Sequence, residues 1–494
     1  MNKKITTCVF GFASVLTASS ATPAKPNVVF IAVDDLRTEL NCYGAKQMHT
    51  PNIDRLAGQG VLFERAYCQQ AVCAPSRNTI MTGMRPDALG IYDLPTFFRM
   101  KAPGVVTLAQ HFKNNGYRTE AVGKIFHTGH GNQDDTLSWS VPKWNHAAKF
   151  RQLKKINRGD TTGLESDAPK INNLNLPFYC SDAPEENMSD FQIAKIAVER
   201  IKAMKDKSFF MAVGFLKPHL PFIAPRKYWN LYDPSKIEIP ERKIPEGMPD
   251  LSLVSFGELR KYHGIPEKGF IDDDTSRKLI HGYYACVSMI DEQVGKLLDV
   301  IHNEGLTGNT IVILWGDHGW KLGEYGNWCK HSNMETDANA PLLISAPGIK
   351  KGVKTRSLAE FVGIYPTLCD LAGVEKPSHL EGKSLLSILI NPSAVVNEVA
   401  ISQFPRGKSL GYDNKLEIMG YSMRTGNLRY TRWQKYENPE DVVAVELYDH
   451  SKGKVATVNL ALKPEYREEV KKLDQLLTRE LSRYKLLKST RNKP

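Results

Sequence analysis

Two pairs of metal-competent side chains stand at the ends of apolar runs: Asp34-Asp35 after Asn27–Val33, and Asp317-His318 shortly after Thr310–Trp315. Carboxylate oxygens favour calcium or magnesium. His318 leaves zinc or manganese open, although no cluster of soft ligands accompanies it. Alone, a strand-end aspartate pair reads equally well as a turn or a helix cap. Cys73 opens the run Cys73-Ala74-Pro75-Ser76-Arg77, which reads as a helix start. The free N–H groups and dipole of such a helix end favour anionic oxygens. Arg77, one turn on, can reach back to the same point. Lys124-Ile125-Phe126-His127 can set a cation and an imidazole over one site, and His219 is fixed between Pro218 and Pro221. Lys330 follows the Asp317-His318 pair closely. An anionic ester needs cations on its non-bridging oxygens and an acid at its leaving oxygen. Two lysines and two histidines supply both. The bland readings are a buried thiol for Cys73, and a surface arginine, a solvated lysine and a packed histidine for the others. Asp272-Asp273-Asp274 reads as a turn and helix cap, and Asp134-Asp135 as a polar loop without ligand character.

The elements that must position these groups alternate. Asn27–Val33 is a continuous β-branched apolar run, as expected of a strand buried on both faces. Thr50-Pro51 starts a helix, Val61–Tyr67 reads as a strand, and Pro75 onward as a helix. Tyr117–Val122, Phe209–Phe215, Thr310–Trp315 and Pro341–Ser345 read as further strands. Leu279, Tyr283, Val287, Ile290, Val294, Leu297 and Ile301 recur every three or four residues, which predicts a long amphipathic helix. Strands alternating with helices predict an α/β fold with a large, mainly parallel sheet flanked by helices. In such sheets ligands gather at the carboxyl ends of the strands, so the wide sequence spacing of the candidates is no objection to a shared site. Residues 143–187 and 238–274 are polar and turn-rich and read as long surface insertions. After Pro392 the pattern changes to a hairpin over Met419–Trp433, a short strand at Glu446–Asp449 and a helix over Pro464–Leu487. This predicts a smaller antiparallel subdomain closed by a helix.

The bulk properties narrow the setting. Met1–Lys4, an apolar stretch to about Leu16 and small residues through Ala21 describe a secretory signal peptide. The expected layout is therefore a signal at 1–24, a catalytic domain at 25–392 and a C-terminal subdomain at 393–494. The apolar stretch is too short for a membrane span, Cys8 lies inside it rather than after it, and no later segment is long and apolar enough. The reading is an exported protein, periplasmic or secreted. The formal charge of +11 falls to about +9 once Lys3 and Lys4 are removed with the signal, and suits an acidic partner. No nucleic-acid motif accompanies that charge, and a sulfated, carboxylated polysaccharide fits export better. The cysteines are scattered, without paired spacing, and read as mostly buried thiols with at most one or two bridges.

The run Cys73-Ala74-Pro75-Ser76-Arg77 resembles the C-x-P-S-R signature of the type I sulfatases. The wider pattern resembles the iduronate-2-sulfatase family. It includes Val33–Arg37, Asn41–Gly44, Gln70–Arg77, Arg85–Asp87, Tyr92–Leu94, Val122–His127, Lys217–His219, Gly316–Glu324 and Tyr421–Thr425. The resemblance implies an alkaline-phosphatase-like sulfatase fold and hydrolysis of sulfate esters on a glycan. It implies oxidation of Cys73 to formylglycine by a maturation enzyme, and one Ca2+ held by Asp34, Asp35, residue 73, Asp317 and His318. Arg77, Lys124, His127, His219 and Lys330 would stabilise or protonate. His219 or Lys330 would serve the leaving oxygen, and His127 would take the proton that releases sulfate. Trp320 and Arg99 would touch substrate. The implied substrate is a 2-O-sulfated uronic acid at a chain end. Sulfated algal polysaccharide such as carrageenan or ulvan is an alternative, as is a phosphomonoester or phosphonate on the related phosphatase scaffold. A non-catalytic glycan-binding protein is the remaining reading, and the full set of metal and acid residues opposes it.

Overall fold

The computed structural model describes residues 25–144, 169–253, 256–407 and 416–491. The expected signal peptide lies outside them. The large sheet is built from β1 (Asn27–Val33), β2 (Val61–Phe63), β3 (Arg118–Gly123), β4 (Phe209–Phe215), β5 (Thr310–Gly316), β6 (Leu342–Ser345) and β7 (Val353–Thr355). Their order across the sheet is β7-β2-β6-β5-β1-β4-β3. β3, β4, β1 and β5 run parallel to one another, and β7 parallel to β2. β6 runs against both β5 and β2, a departure from the parallel expectation. Its cause is the path of residues 317–341. That segment stays at the carboxyl end of β5 in a small hairpin of Lys321–Leu322 with Trp328–Cys329, so the chain re-enters the sheet from the same end.

The alternation along β1 shows why both faces are apolar. Val29, Ile31 and Val33 enter one core cluster, whereas Val28, Phe30 and Ala32 enter the other. The first face is covered by α1 (Pro51–Gln59), α3 (Ser189–Met204) and the long α4 (Asp273–Asn303), whose predicted apolar stripe from Leu279 to Ile301 is buried there. The second is covered by α2 (Cys73–Thr82) and the helices Leu108–Asn114 and Ile364–Ala372. Asp272 caps α4 by accepting from the Thr275 N–H at 2.9 Å, as read from the sequence. Among the described residues, Cys42, Cys68, Cys73, Cys286, Cys329 and Cys369 are free thiols. No helix among the described residues is long and apolar enough to cross a membrane.

Beyond residue 399 the chain forms β8 (Ala400–Arg406), β9 (Ile418–Thr425), β10 (Leu428–Lys435) and β11 (Val442–Asp449), an antiparallel sheet in sequential order, followed by α5 (Arg467–Arg491). Met419, Met423, Tyr430 and Leu447 of the sheet pack with Leu473, Leu477 and Leu481 of the helix. A buried ion cluster fastens this unit to the large sheet's loops. Glu335 accepts from Arg429 Nε at 3.0 Å, from its Nη2 at 2.7 Å and from the Tyr67 hydroxyl at 2.8 Å, while Arg424 Nε lies 3.2 Å away. Burial opposes the charge on Glu335, but the two arginines override it and hold the carboxyl below its usual range. A buried cation stripped of its counter-charge is costly, about 3–5 kcal/mol. Glu335→Ala is therefore expected to lower the unfolding free energy in urea by about 3–5 kcal/mol. An unchanged midpoint and slope would contradict this.

Candidate active site

Four parallel strands deliver the candidates to one place. β1 ends on Asp34-Asp35, β5 on Asp317-His318, β3 on Lys124, and β4 leads through Leu216 and Lys217 to His219. α2 begins at Cys73 and aims its first turn at the same spot. Gly123 and Gly214 are register partners at the ends of β3 and β4. A Cβ on Gly214 would lie 2.1 Å from the Lys124 carbonyl oxygen, so this close approach requires glycine. Asp35 takes a positive φ of 58°, which turns the chain sharply. Its N–H donates to Asp317 Oδ1 at 3.0 Å, and its carbonyl accepts from the Tyr283 hydroxyl at 2.8 Å.

Arg77 is completely buried and organises the centre. Its Nη2 donates to Asp34 Oδ1 at 2.9 Å and its Nε to Asp317 Oδ2 at 2.9 Å. Its Nη1 donates to the carbonyls of Lys124 and Ile125. It therefore bridges two strand ends and fixes a third, which is far from the surface role weighed as its bland reading. Lys124 Nζ donates to the other oxygen of Asp34. Burial raises the Asp34 carboxyl, but Lys124 and Arg77 outweigh it and hold the group well below its usual range. Lys330 Nζ donates to both oxygens of Asp35, at 2.9 and 3.0 Å.

Cys73 Sγ lies 3.3 Å from His318 Nε2 and 3.9 Å from Asp35 Oδ1. Burial pushes the Cys73 thiol well up, so the sulfur is neutral. His318 Nδ1 lies 2.9 Å from the Gly319 carbonyl oxygen, and its Nε2 faces Asp35 Oδ1 at 3.4 Å and Asp317 Oδ1 at 3.7 Å. Three overlapping groups have ligand atoms within 4.8 Å of one another: Asp35, Cys73 and His318; Asp34, Asp35 and His219; and Asp34, Cys73 and Asp317. Together they hold three carboxylates, two imidazoles and the Cys73 sulfur, and the carboxylates make an acidic set that fits a divalent cation.

His219 Nδ1 faces the Leu220 carbonyl at 2.7 Å, and its Nε2 lies 3.1 Å from Glu258 Oε1 and 3.9 Å from Asp35 Oδ2. Both ring nitrogens meet acceptors only, so both are donors in the protonated ring. Burial works against that charge, but Asp35 and Glu258 outweigh it and raise the pKa. His127 is the opposite case. Burial and the Lys124 cation push it down to about 3, and its Nε2 lies 3.3 Å from His130 Nδ1. A neutral imidazole suits a base.

Two residues expected to touch substrate have their side chains engaged within the protein. Trp320 is fully buried. It packs edge-on against Phe222, and Lys330 Nζ lies 4.9 Å from its ring centroid. It supports Lys330 through this contact. Arg99 spends all five of its donors elsewhere: on both oxygens of Asp135, on the Pro103 and Val105 carbonyls and on Gln110. None is left for a ligand. Asp135, buried, pairs with Arg99 and accepts from the Ser138 hydroxyl. Residues that the sequence did not flag are Ser76, whose hydroxyl donates to the Asp317 carbonyl, Tyr283, and above all Glu258. Tyr283 was visible only as one position of a helical stripe, and Glu258 carried no signal.

The family described as Sulfatase matches residues 26–374, and the family described as N-sulphoglucosamine sulphohydrolase, C-terminal, matches residues 323–483. The chain is 34% identical to iduronate 2-sulfatase of Homo sapiens, over 87% of this chain and 88% of that one. It is 30% identical to a sulfatase of Formosa agariphila, over 92% and 86% respectively. Among solved structures, a phosphonate monoester hydrolase from Silicibacter pomeroyi superposes with a TM-score of 0.77 at 20% identity, covering 93% of this chain and 96% of that one.

Replacing Arg77 by methionine would leave two buried carboxylates without their shared cation. The expected loss is about 3–5 kcal/mol of unfolding free energy, read by chemical denaturation. A loss below about 1 kcal/mol, the scale of an exposed pair, would contradict the bridging role.

Proposed function

The chain belongs to the sulfatase family, with an alkaline-phosphatase-like α/β fold, and is a sulfuric ester hydrolase; from that premise we propose that it removes the 2-O-sulfate from a terminal uronic acid of a sulfated glycan. The observation that carries this reading is the 34% identity with iduronate 2-sulfatase over most of both chains. The excess of basic residues agrees with a polyanionic substrate. In this proposal Cys73 is matured to formylglycine, the protein is exported, and the catalytic domain occupies residues 25–392 with the subdomain at 393–494.

Asp34, Asp35, Asp317, His318 and residue 73 would hold one Ca2+. The ion would supply positive charge, and the hydrated aldehyde an oxygen nucleophile. The chain's own residues supply the rest. Arg77 fixes Asp34 and Asp317 to each other at 2.9 Å contacts, so the nucleophile and the ligands share one rigid frame. The N–H groups at the start of α2, with Lys124 and Lys330, offer donors to the non-bridging sulfate oxygens, where charge develops. The protonated His219 ring, or Lys330, gives a proton to the departing sugar oxygen. His127, held neutral by burial and Lys124, accepts the proton that frees sulfate and restores residue 73.

A reading as a phosphate or phosphonate hydrolase draws on a likeness at 20% identity, which carries the fold alone. The substrate proposal is tested with a disaccharide ending in 2-O-sulfated uronic acid, followed by sulfate release. Sulfate is expected from it, and not from the same unit sulfated elsewhere. Lys124→Ala and His219→Ala are each expected to lower kcat/KM by about 10²–10⁴-fold, and unchanged turnover in both would sink the assigned roles. Exhaustive chelation is expected to remove activity and added calcium to restore it. Full activity in rigorously metal-free protein would overturn the metal proposal.

A further inference from the structure

Glu258 touches both candidate acids. Its Oε1 lies 3.1 Å from His219 Nε2 and its Oε2 lies 3.1 Å from Lys330 Nζ. Its side chain is 23% exposed, whereas that of Lys330 is 4% exposed, so Glu258 stands on the open side of the pair. It belongs to the 238–274 insertion, between Phe256 and Leu259, both buried in the core. Burial raises the Glu258 carboxyl, but Lys330 and His219 outweigh it and hold the group ionised.

The acids need such a partner for a mechanical reason. A lysine side chain has many rotamers to lose, and a proton donor must sit within hydrogen-bond reach of its acceptor. Asp35 draws the Lys330 ammonium down toward the metal-competent carboxylates, at 2.9 and 3.0 Å. Glu258 draws it the other way. The backbone around Lys330 is also constrained, since Cys329 and His331 both take positive φ, 65° and 85°. One guanidinium ties this loop to the insertion. Arg406 of β8 donates to the Leu251 carbonyl at 2.7 Å and to the His331 carbonyl at 3.1 Å, with its face over Phe404 and Trp433. The antiparallel sheet thus anchors the two segments whose side chains meet at Glu258.

We propose that Glu258 is a positioning residue that aims Lys330 and His219 at the leaving oxygen, with Arg406 holding its segment in register with the Lys330 loop; this rests on the sulfatase reading above. As the bond from sulfur to the leaving oxygen breaks, the electron pair stays on that oxygen, which takes a proton from His219 or Lys330. Glu258 takes no part in bond making, but without it the donor is misaimed.

The test compares wild type, E258Q and R406K on 4-nitrophenyl sulfate and phenyl sulfate. The nitrophenolate leaves unaided, and the phenolate depends on the acid. E258Q is expected to lower kcat/KM about 100-fold on phenyl sulfate and less than about 5-fold on 4-nitrophenyl sulfate, with R406K shifted in the same direction by less. The ratio of the two rates within one preparation does not depend on how much enzyme is folded, matured or metal-loaded. An unchanged ratio in E258Q, whether both rates fall or neither does, would overturn the proposal. A wild type that hydrolyses neither the aryl sulfates nor the sulfated disaccharide would overturn the sulfatase reading instead, and if it hydrolyses the disaccharide alone the variants are compared there, where a loss in E258Q confined to KM, with kcat unchanged, would overturn the proposal.

Discussion

Like charge crowded out of water is the constraint on which this molecule is built. Asp34, Asp35 and Asp317 are essentially without exposure, and their oxygens converge within a few ångströms. Two like charges 4 Å apart repel by about 4 kcal/mol even at an effective dielectric of 20. The site exists because cations are built in beside them. Arg77 spans Asp34 and Asp317, Lys124 holds the far side of Asp34, and Lys330 holds Asp35. A divalent ion would complete that balance, and an anionic substrate would meet cations that are already in place.

The fold serves that arrangement. Parallel strands bring carboxylates from opposite ends of the sequence to one edge of the sheet, and the Gly123–Gly214 pairing lets the backbones of β3 and β4 close up so that Lys124 reaches in. The return of β6 against its neighbours keeps residues 317–341, which carry Asp317, His318 and Lys330, on the same side. The antiparallel sheet then closes over that segment through Glu335, Arg424 and Arg429 below and Arg406 above. It is a structural wall of the site as well as an appendage to the sheet.

What the sequence revealed follows from which signals are local. Strand-end pairs such as Asp34-Asp35, the helix start at Cys73 and the apolar period of Leu279–Ile301 are written in neighbouring residues, and their places in the fold agree with the reading. The antiparallel direction of β6 depends on the path of a loop, which no period records. Trp320 and Arg99 entered as substrate contacts through the family resemblance, and no local pattern announced how they are packed. Their burial and their partners, Phe222 and Asp135, come from distant parts of the chain. Glu258 was silent for the converse reason: nothing near it in sequence distinguishes it, and its meaning comes from His219 and Lys330 meeting it in space.

In the proposed function residue 73 supplies the nucleophile as an oxidised cysteine. The mass of the peptide containing residue 73, taken from active protein of the native host, tests it most directly. The account predicts the mass of an aldehyde or its hydrate at that position. An unmodified Cys73 throughout fully active protein would contradict it.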